Sequence, residues 1–174
     1  MKSQIEKRRE DLISCVPDVF DYRTVLYIGC KKGRSQFLSD FRDSGYTIDI
    51  VEPYKPNYEY CLELDWVRKV SLCTIQNYQS PSNSIDVVFW WHGPEHITKE
   101  EIIDTLARLE DIAKEYVVLG CPWGKYEQGE IGGNEFEHHL THWYPEDFEK
   151  LGYRTSTIGK KDRKGSNLLS WKKI

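Results

Sequence analysis

Apolar positions along this chain follow two rhythms. Short continuous or alternating runs suit strands, and longer stretches spaced by three and four residues suit helices. The most continuous run is Asp86-Val-Val-Phe-Trp-Trp91. Such a run predicts a strand covered on both faces, as in the middle of a parallel sheet. Tyr116-Val-Val-Leu-Gly120 has the same character. Residues 24–29, with Val25, Leu26 and Ile28, and residues 46–52, with Ile48, Ile50 and Val51, predict two further strands. A short strand fits 70–75. Two terminal strands, 153–158 and 167–173, are separated by a charged turn with Gly159 and Gly165 and can pair as a hairpin.

Helical patterns fill the intervals. Ser3 and Glu6 form a capping-box pattern that opens a helix ending before Pro17, with Ile5, Leu12, Ile13 and Val16 as its apolar residues. A helix over 33–44 carries Phe37, Leu38 and Phe41 on one face and stops at Gly45. The segment 57–68 has helical character. Thr98 and Glu101 repeat the capping-box pattern ahead of Ile102, Leu106, Leu109 and Ala113, and Pro145 opens a short helix ending at Gly152. Strands alternating with helices predict an α/β chain: a Rossmann-like, doubly wound, mostly parallel seven-stranded sheet with helices on both faces and a C-terminal antiparallel hairpin. One domain is expected over 1–174, with an N-terminal helix in 1–20 and a polar insert or flap at 122–143.

Composition narrows the class. With 174 residues, 39% hydrophobic and 30% charged, the chain can bury a sizeable core and is not disordered. A net charge of −4 makes no strong case for nucleic acid. No apolar run approaches the roughly 18 residues of a membrane span, and the amino terminus has no signal-peptide apolar segment, so a cytoplasmic location is expected. The five cysteines are scattered without a Cys-x-x-Cys and read as small buried apolar residues in a reducing compartment. Nothing in the sequence specifies an oligomeric state.

In a sheet of this kind ligands lie outside the carboxyl ends of the strands, where strand order reverses. That rule gathers the Gly29–Gly33 turn, Glu52, the loop after the third strand, Trp91–His96 and Cys121–Trp143 onto one rim. Glu52 follows Gly29 by 23 residues (52 − 29), near the spacing at which a carboxylate accepts hydrogen bonds from ribose hydroxyls; the plainer reading is a surface glutamate before Pro53. All five histidines (92, 96, 138, 139, 142) fall in the two rim loops. Histidine is poised near neutral pH, which nominates His92 first, then His139 or His142, as a general base. A metal site from Glu137, His138 and His142 lacks a second ligand cluster, so none is expected. Trp91, Trp123 and Trp143 suit a wall for a flat ligand, while Trp90 suits the core. The glycine-rich, acidic Tyr126–Asn134 suits a mobile flap.

These motifs, taken in order, resemble the class I S-adenosylmethionine-dependent methyltransferases of the small Rossmann-like kind (type 11/12-like). Val25-Leu-Tyr-Ile-Gly-Cys-Lys-Lys-Gly33 is similar to a degenerate first motif and Ile50-Val-Glu-Pro53 to the ribose-binding strand end. Ser84 to Ile97 resembles the fourth-strand segment with its Glu-His pair, and Val117 to Gly124 the fifth strand with its Pro-x-Gly turn. The resemblance implies S-adenosylmethionine as cofactor and methyl transfer to an unidentified small-molecule acceptor. It nominates Tyr27, Gly29, Lys31, Gly33, Glu52, Pro53, Thr74, Ile75 and Trp91 for the cofactor. Tyr27 stands where the family has an acidic residue and Lys31 where it has its middle glycine. Thr74, with Gln76 and Asn77 nearby, stands where an Asp meets adenine. Lys31 or Lys32 can pair with the methionine carboxylate. The Gly-x-x-x-Gly spacing, with two lysines inside, favours this cofactor over a dinucleotide, whose pyrophosphate needs close backbone N–H groups. The same departures support a second reading, a catalytically inactive cofactor-binding or interaction protein with this fold.

Overall fold

The computed structural model describes residues 2–174. Its seven strands are β1 (Thr24–Ile28), β2 (Thr47–Val51), β3 (Val67–Ser71), β4 (Ile85–Trp91), β5 (Ala113–Cys121), β6 (Arg154–Ile158) and β7 (Asn167–Lys173). They form one sheet in the order β3-β2-β1-β4-β5-β7-β6. The first five run parallel, and β7 is antiparallel to both β5 and β6. The chain therefore winds outward from β1 to β3, returns to β4 beside β1, and winds the other way. This is the expected doubly wound sheet with an antiparallel terminal hairpin, and its reversal point lies between β1 and β4.

Five α-helices cover the sheet: α1 (Gln4–Cys15), α2 (Leu38–Asp43), α3 (Lys55–Leu62), α4 (Lys99–Ile112) and α5 (Pro145–Glu149). Both capping boxes form as read from the sequence, Ser3 with Glu6 and Thr98 with Glu101. Side chains of β4 leave the pleat alternately and are buried on both sides. Val88 and Trp90 join Ile102, Leu106 and Leu109 of α4 in one apolar layer, whereas Val87, Phe89 and Trp91 join Leu12 of α1 and Phe41 of α2 in the other. That double coverage explains why the strand carries almost no polar residue. Its one acid, Asp86, sits at the strand's start. It accepts backbone N–H groups of Arg23 and Thr24 and pairs with Lys114, tying β4 to β1 and β5.

Three boundaries differ from expectation. The helix after β1 begins at Leu38, not at 33, because Phe37 adopts φ +65 and Tyr27 Oη, from within the core, donates to Gln36 O at 2.6 Å. Residues 29–37 are consequently an irregular loop. The third helix is 55–62, starting on a proline in its first turn and ending earlier than 68. Its shorter course lets β3 form at 67–71 instead of 70–75, clamped to β2 by the paired bonds of Arg68 to Asp49 at 2.8 and 2.7 Å. All five cysteines are free, three of them buried. Among the described residues no helix is long and apolar enough to cross a membrane.

Candidate functional site

A cavity of about 1060 Å³ opens at the carboxyl ends of β1, β2 and β4, at the reversal point. Gly29 leaves β1 at φ +79, donating to Val51 O at 2.9 Å, and Gly33 has φ +70; a Cβ at either would meet nothing within 4 Å. Both conformations suit glycine, and both backbones face open space. Glu52 ends β2 and is 4% exposed. Its Oε2 accepts the Cys30 N–H and its Oε1 the Tyr54 N–H, each at 2.8 Å. Every carboxylate oxygen has two lone pairs, so each can accept one bond more, a capacity for which the Asn57 side chain competes. Burial raises the Glu52 carboxyl above its ordinary value, and the N–H groups of Tyr54 and Cys30 offset only part of this. Pro53, Thr74 and Ile75 line the same cavity, Thr74 accepting a bond from the Asn77 side chain at 3.1 Å.

Two nominated residues border the cavity from within the core packing. Tyr27 is 1% exposed and stacks on Phe89 at 5.7 Å. Trp91 is buried between Phe37 (4.8 Å) and Phe89 (5.6 Å). The indoles of β4 rest on glycines: a Cβ on Gly120 would come 2.3 Å from the Trp91 ring, and one on Gly93 would overlap that of Trp90. Lys31 pairs with Glu137 at 2.8 Å, so the turn after β1 is bridged to the loop after β5. Lys32 is exposed and lies over the Tyr60 ring.

The loop after β5 is stitched onto the turn after β4. Leu140 and Thr141 donate to Glu95 O at 2.8 and 3.2 Å, and the Thr141 hydroxyl donates to Ile97 O at 3.0 Å. His139 N–H donates to Gln128 O at 2.9 Å. This arrangement brings His92, Glu95, His96 and His139 together. His92 has φ +52, an uncommon backbone for a non-glycine residue, and its Nδ1 donates to Glu95 Oε1 at 3.1 Å. Glu95 is 2% exposed, and its Oε2 has no hydrogen-bond partner. Burial alone would raise its carboxyl, but the His92 bond and the fields of His96, His92 and His139 hold it below the usual value. Burial lowers the His139 imidazole, more than Glu95 and the Tyr126 carbonyl raise it. His142 lines neither this cavity nor the next. The trio Glu137, His138 and His142 is also not assembled: Glu137 holds Lys31, and His138 is exposed. Glu95 was visible only as half of a Glu-His pair; its role as the shared centre needed the loop 44 residues later (139 − 95) to fold back.

His92, Pro122 and Tyr126 also line a second cavity of about 470 Å³, completed by Gln4, Arg8 and Lys164 among others, with no carboxylate in its wall. Arg8 is 8% exposed. It makes two long bonds, to Gln36 Oε1 (3.3 Å) and Gly165 O (3.4 Å), and its Nε has no partner.

Neither protein-family models nor curated protein sequences match the chain. Solved structures do match in shape. A SAM-dependent methyltransferase from Leishmania major aligns with TM-score 0.70 at 16% identity, covering 97% of this chain and 71% of its own. The 1,6-didemethyltoxoflavin-N1-methyltransferase of Burkholderia thailandensis, with bound 1,6-didemethyltoxoflavin and S-adenosylhomocysteine, aligns with TM-score 0.67 at 14% identity over 98% and 78%. A SAM-dependent methyltransferase from Archaeoglobus fulgidus gives 0.64 at 18% over 97% and 94%. The chain has the class I methyltransferase fold.

Proposed function

We propose that this chain binds S-adenosylmethionine in the larger cavity and transfers its methyl group to a small-molecule acceptor entering beside His92. The observation that carries the reading is Glu52, a buried carboxylate at the end of β2, beside an open glycine turn, with one lone pair per oxygen not held by backbone N–H groups. Those lone pairs suit the two hydroxyls of a ribose. Gly29 and Gly33 leave room for the methionine end, Pro53, Thr74 and Ile75 border the adenine, and Lys31 can exchange Glu137 for the methionine carboxylate. Tyr27 and Trp91 act indirectly, by fixing the turn and the end of β4. When bound, the cofactor supplies an electrophilic methyl on a sulfonium; the residues supply alignment and proton removal.

His92 is the proposed base. Its Nδ1–H is committed to Glu95, so the neutral ring keeps a lone pair on Nε2 for a proton of the acceptor. His139 is the second candidate. The smaller cavity, with Arg8 and Lys164 and no acid in its wall, suits an acceptor carrying an anionic group. Residues 122–143 act as the flap over this side. The Lys31–Glu137 ion pair, which holds that segment against the turn, favours a second reading in which the fold binds an adenosyl ligand without turnover.

Calorimetric titration with S-adenosylmethionine, S-adenosylhomocysteine and NAD tests the proposal. Micromolar binding of the two adenosyl ligands supports it, and binding of NAD alone overturns it. If both adenosyl ligands bind, methyl transfer to a panel of acidic acceptors separates an enzyme from a binding protein.

A further inference from the structure

We infer that Glu95, His96 and His139 form a binding site for a divalent first-row metal ion in the wall of the larger cavity. One ligand atom from each of the three lies within 4.8 Å of the other two. The sequence pattern predicted no metal, because the loops that bring these residues together are far apart in the chain.

Hydrogen bonding fixes which atoms are left free to bind an ion. His96 Nδ1 lies 3.0 Å from His138 O, and His139 Nδ1 lies 2.6 Å from Tyr126 O. A carbonyl oxygen only accepts, so each Nδ1 carries the ring proton and each neutral ring presents Nε2 as a bare lone pair. A histidine that binds metal through one nitrogen ordinarily donates from the other to a carbonyl or carboxylate, which sets its tautomer and orientation. The third member is Glu95, whose Oε1 is held by His92 while its buried Oε2 has no partner. The three clustered residues thus have two imidazole lone pairs and an orphaned carboxylate oxygen as their free acceptors, and a buried acceptor left in that state is costly. A divalent cation satisfies all three.

Two imidazoles and one carboxylate suit zinc, cobalt, iron or manganese rather than calcium, which prefers an all-oxygen shell. Three protein ligands leave a coordination position free, and all three residues line the cavity. Bonds of about 2.1 Å require the trio to close by about 1 Å, within the reach of side-chain rotation. The site itself does not depend on the transferase reading. Only its consequence does: an acceptor hydroxyl bound to the metal would lose its proton more readily.

The test uses tag-free full-length protein, stripped with a chelator and titrated with Co²⁺, then Zn²⁺, without any adenosyl ligand. One equivalent of Co²⁺ with visible ligand-field bands is expected, together with a Zn²⁺ affinity that falls at least about 100-fold in His96→Gln/His139→Gln, beyond the 10–100-fold of losing an outer partner. The exposed His138→Gln variant should bind as the parent does. No saturable binding by the parent overturns the inference, and so does parent-like binding by the double variant. An imidazolium sharing its proton with Glu95 would give the first of these results. If the double variant misfolds by circular dichroism, the parent's cobalt spectrum decides, since absent nitrogen-ligand bands also overturn the site. Metal binding without adenosyl-ligand binding keeps this inference and rejects the transferase; the reverse rejects only the metal.

Discussion

Replacing Glu52 with glutamine tests the cofactor pocket with the smallest change in shape. In the parent, the two carboxylate oxygens each accept one backbone N–H at 2.8 Å, from Cys30 and from Tyr54. An amide offers one oxygen and one NH₂, so Glu52→Gln must set a donor against one of those N–H groups. A buried group left unsatisfied in this way costs about 1–3 kcal/mol of stability. The ribose loses one charge-assisted bond as well, worth about 1.5–3 kcal/mol, which corresponds to an affinity loss of about 10- to 150-fold. Calorimetry with S-adenosylhomocysteine reads the affinity, and a urea melt on the same preparation reads the stability. A variant destabilised as expected but with parental affinity would show that Glu52 organises the turn and does not touch the ribose. A variant neutral in both measurements would refute the reasoning about this carboxylate altogether.

Lys31→Ala removes the ion pair to Glu137 and should loosen the loop after β5 by about 1 kcal/mol, or about fivefold faster amide exchange over residues 126–140; unchanged exchange rejects the latch. Gly120→Ala places a Cβ 2.3 Å from the Trp91 ring and should cost about 1–3 kcal/mol while shifting tryptophan fluorescence, and a silent substitution would mean the ring has space to move. Burial pushes Asp86 up, but Lys114 and the Thr24 and Arg23 groups outweigh it and hold its carboxyl below 3.8. Because the folded value is the depressed one, this stabilisation is present above the unfolded value and lost as pH falls through the folded value. Asp86→Asn should therefore destabilise the protein at pH 7 and show a shrinking difference from the parent below pH 4; a constant gap across that range argues against the linkage.

Legibility in the sequence tracked the range of the interaction responsible. The two capping boxes lie within four residues of chain and were readable as written, and the five-residue apolar run of β4 announced its burial on both faces. The start of α2 was not readable. Periodicity through Phe37, Leu38 and Phe41 extends it back to 33, but the Tyr27 hydroxyl and the left-handed Phe37 unwind the first five residues. At the site, Glu52 and the glycines could be found by spacing because a βαβ unit is local. Lys31 was assigned to the ligand, since nothing in its neighbourhood foretold Glu137. The grouping of Glu95 with His139 depends on backbone bonds from Leu140 and Thr141 that no local pattern encodes.

The antiparallel strand β7 has a consequence for the order in which the protein can be assembled. It is last of the seven strands in the chain, yet it lies inside the sheet, between β5 and β6. While the chain is being synthesised, the edge of β5 that carries Val117, Val118 and Leu119 stays without a neighbour until Ser170, Trp171 and Lys172 have emerged to pair with it. An unpaired apolar edge is a template for joining other chains. β6 cannot cover it, because β6 reaches the sheet only through β7. The nascent chain is therefore most prone to aggregate in the interval when six strands have emerged and the seventh, which joins the two parts of the sheet, has not.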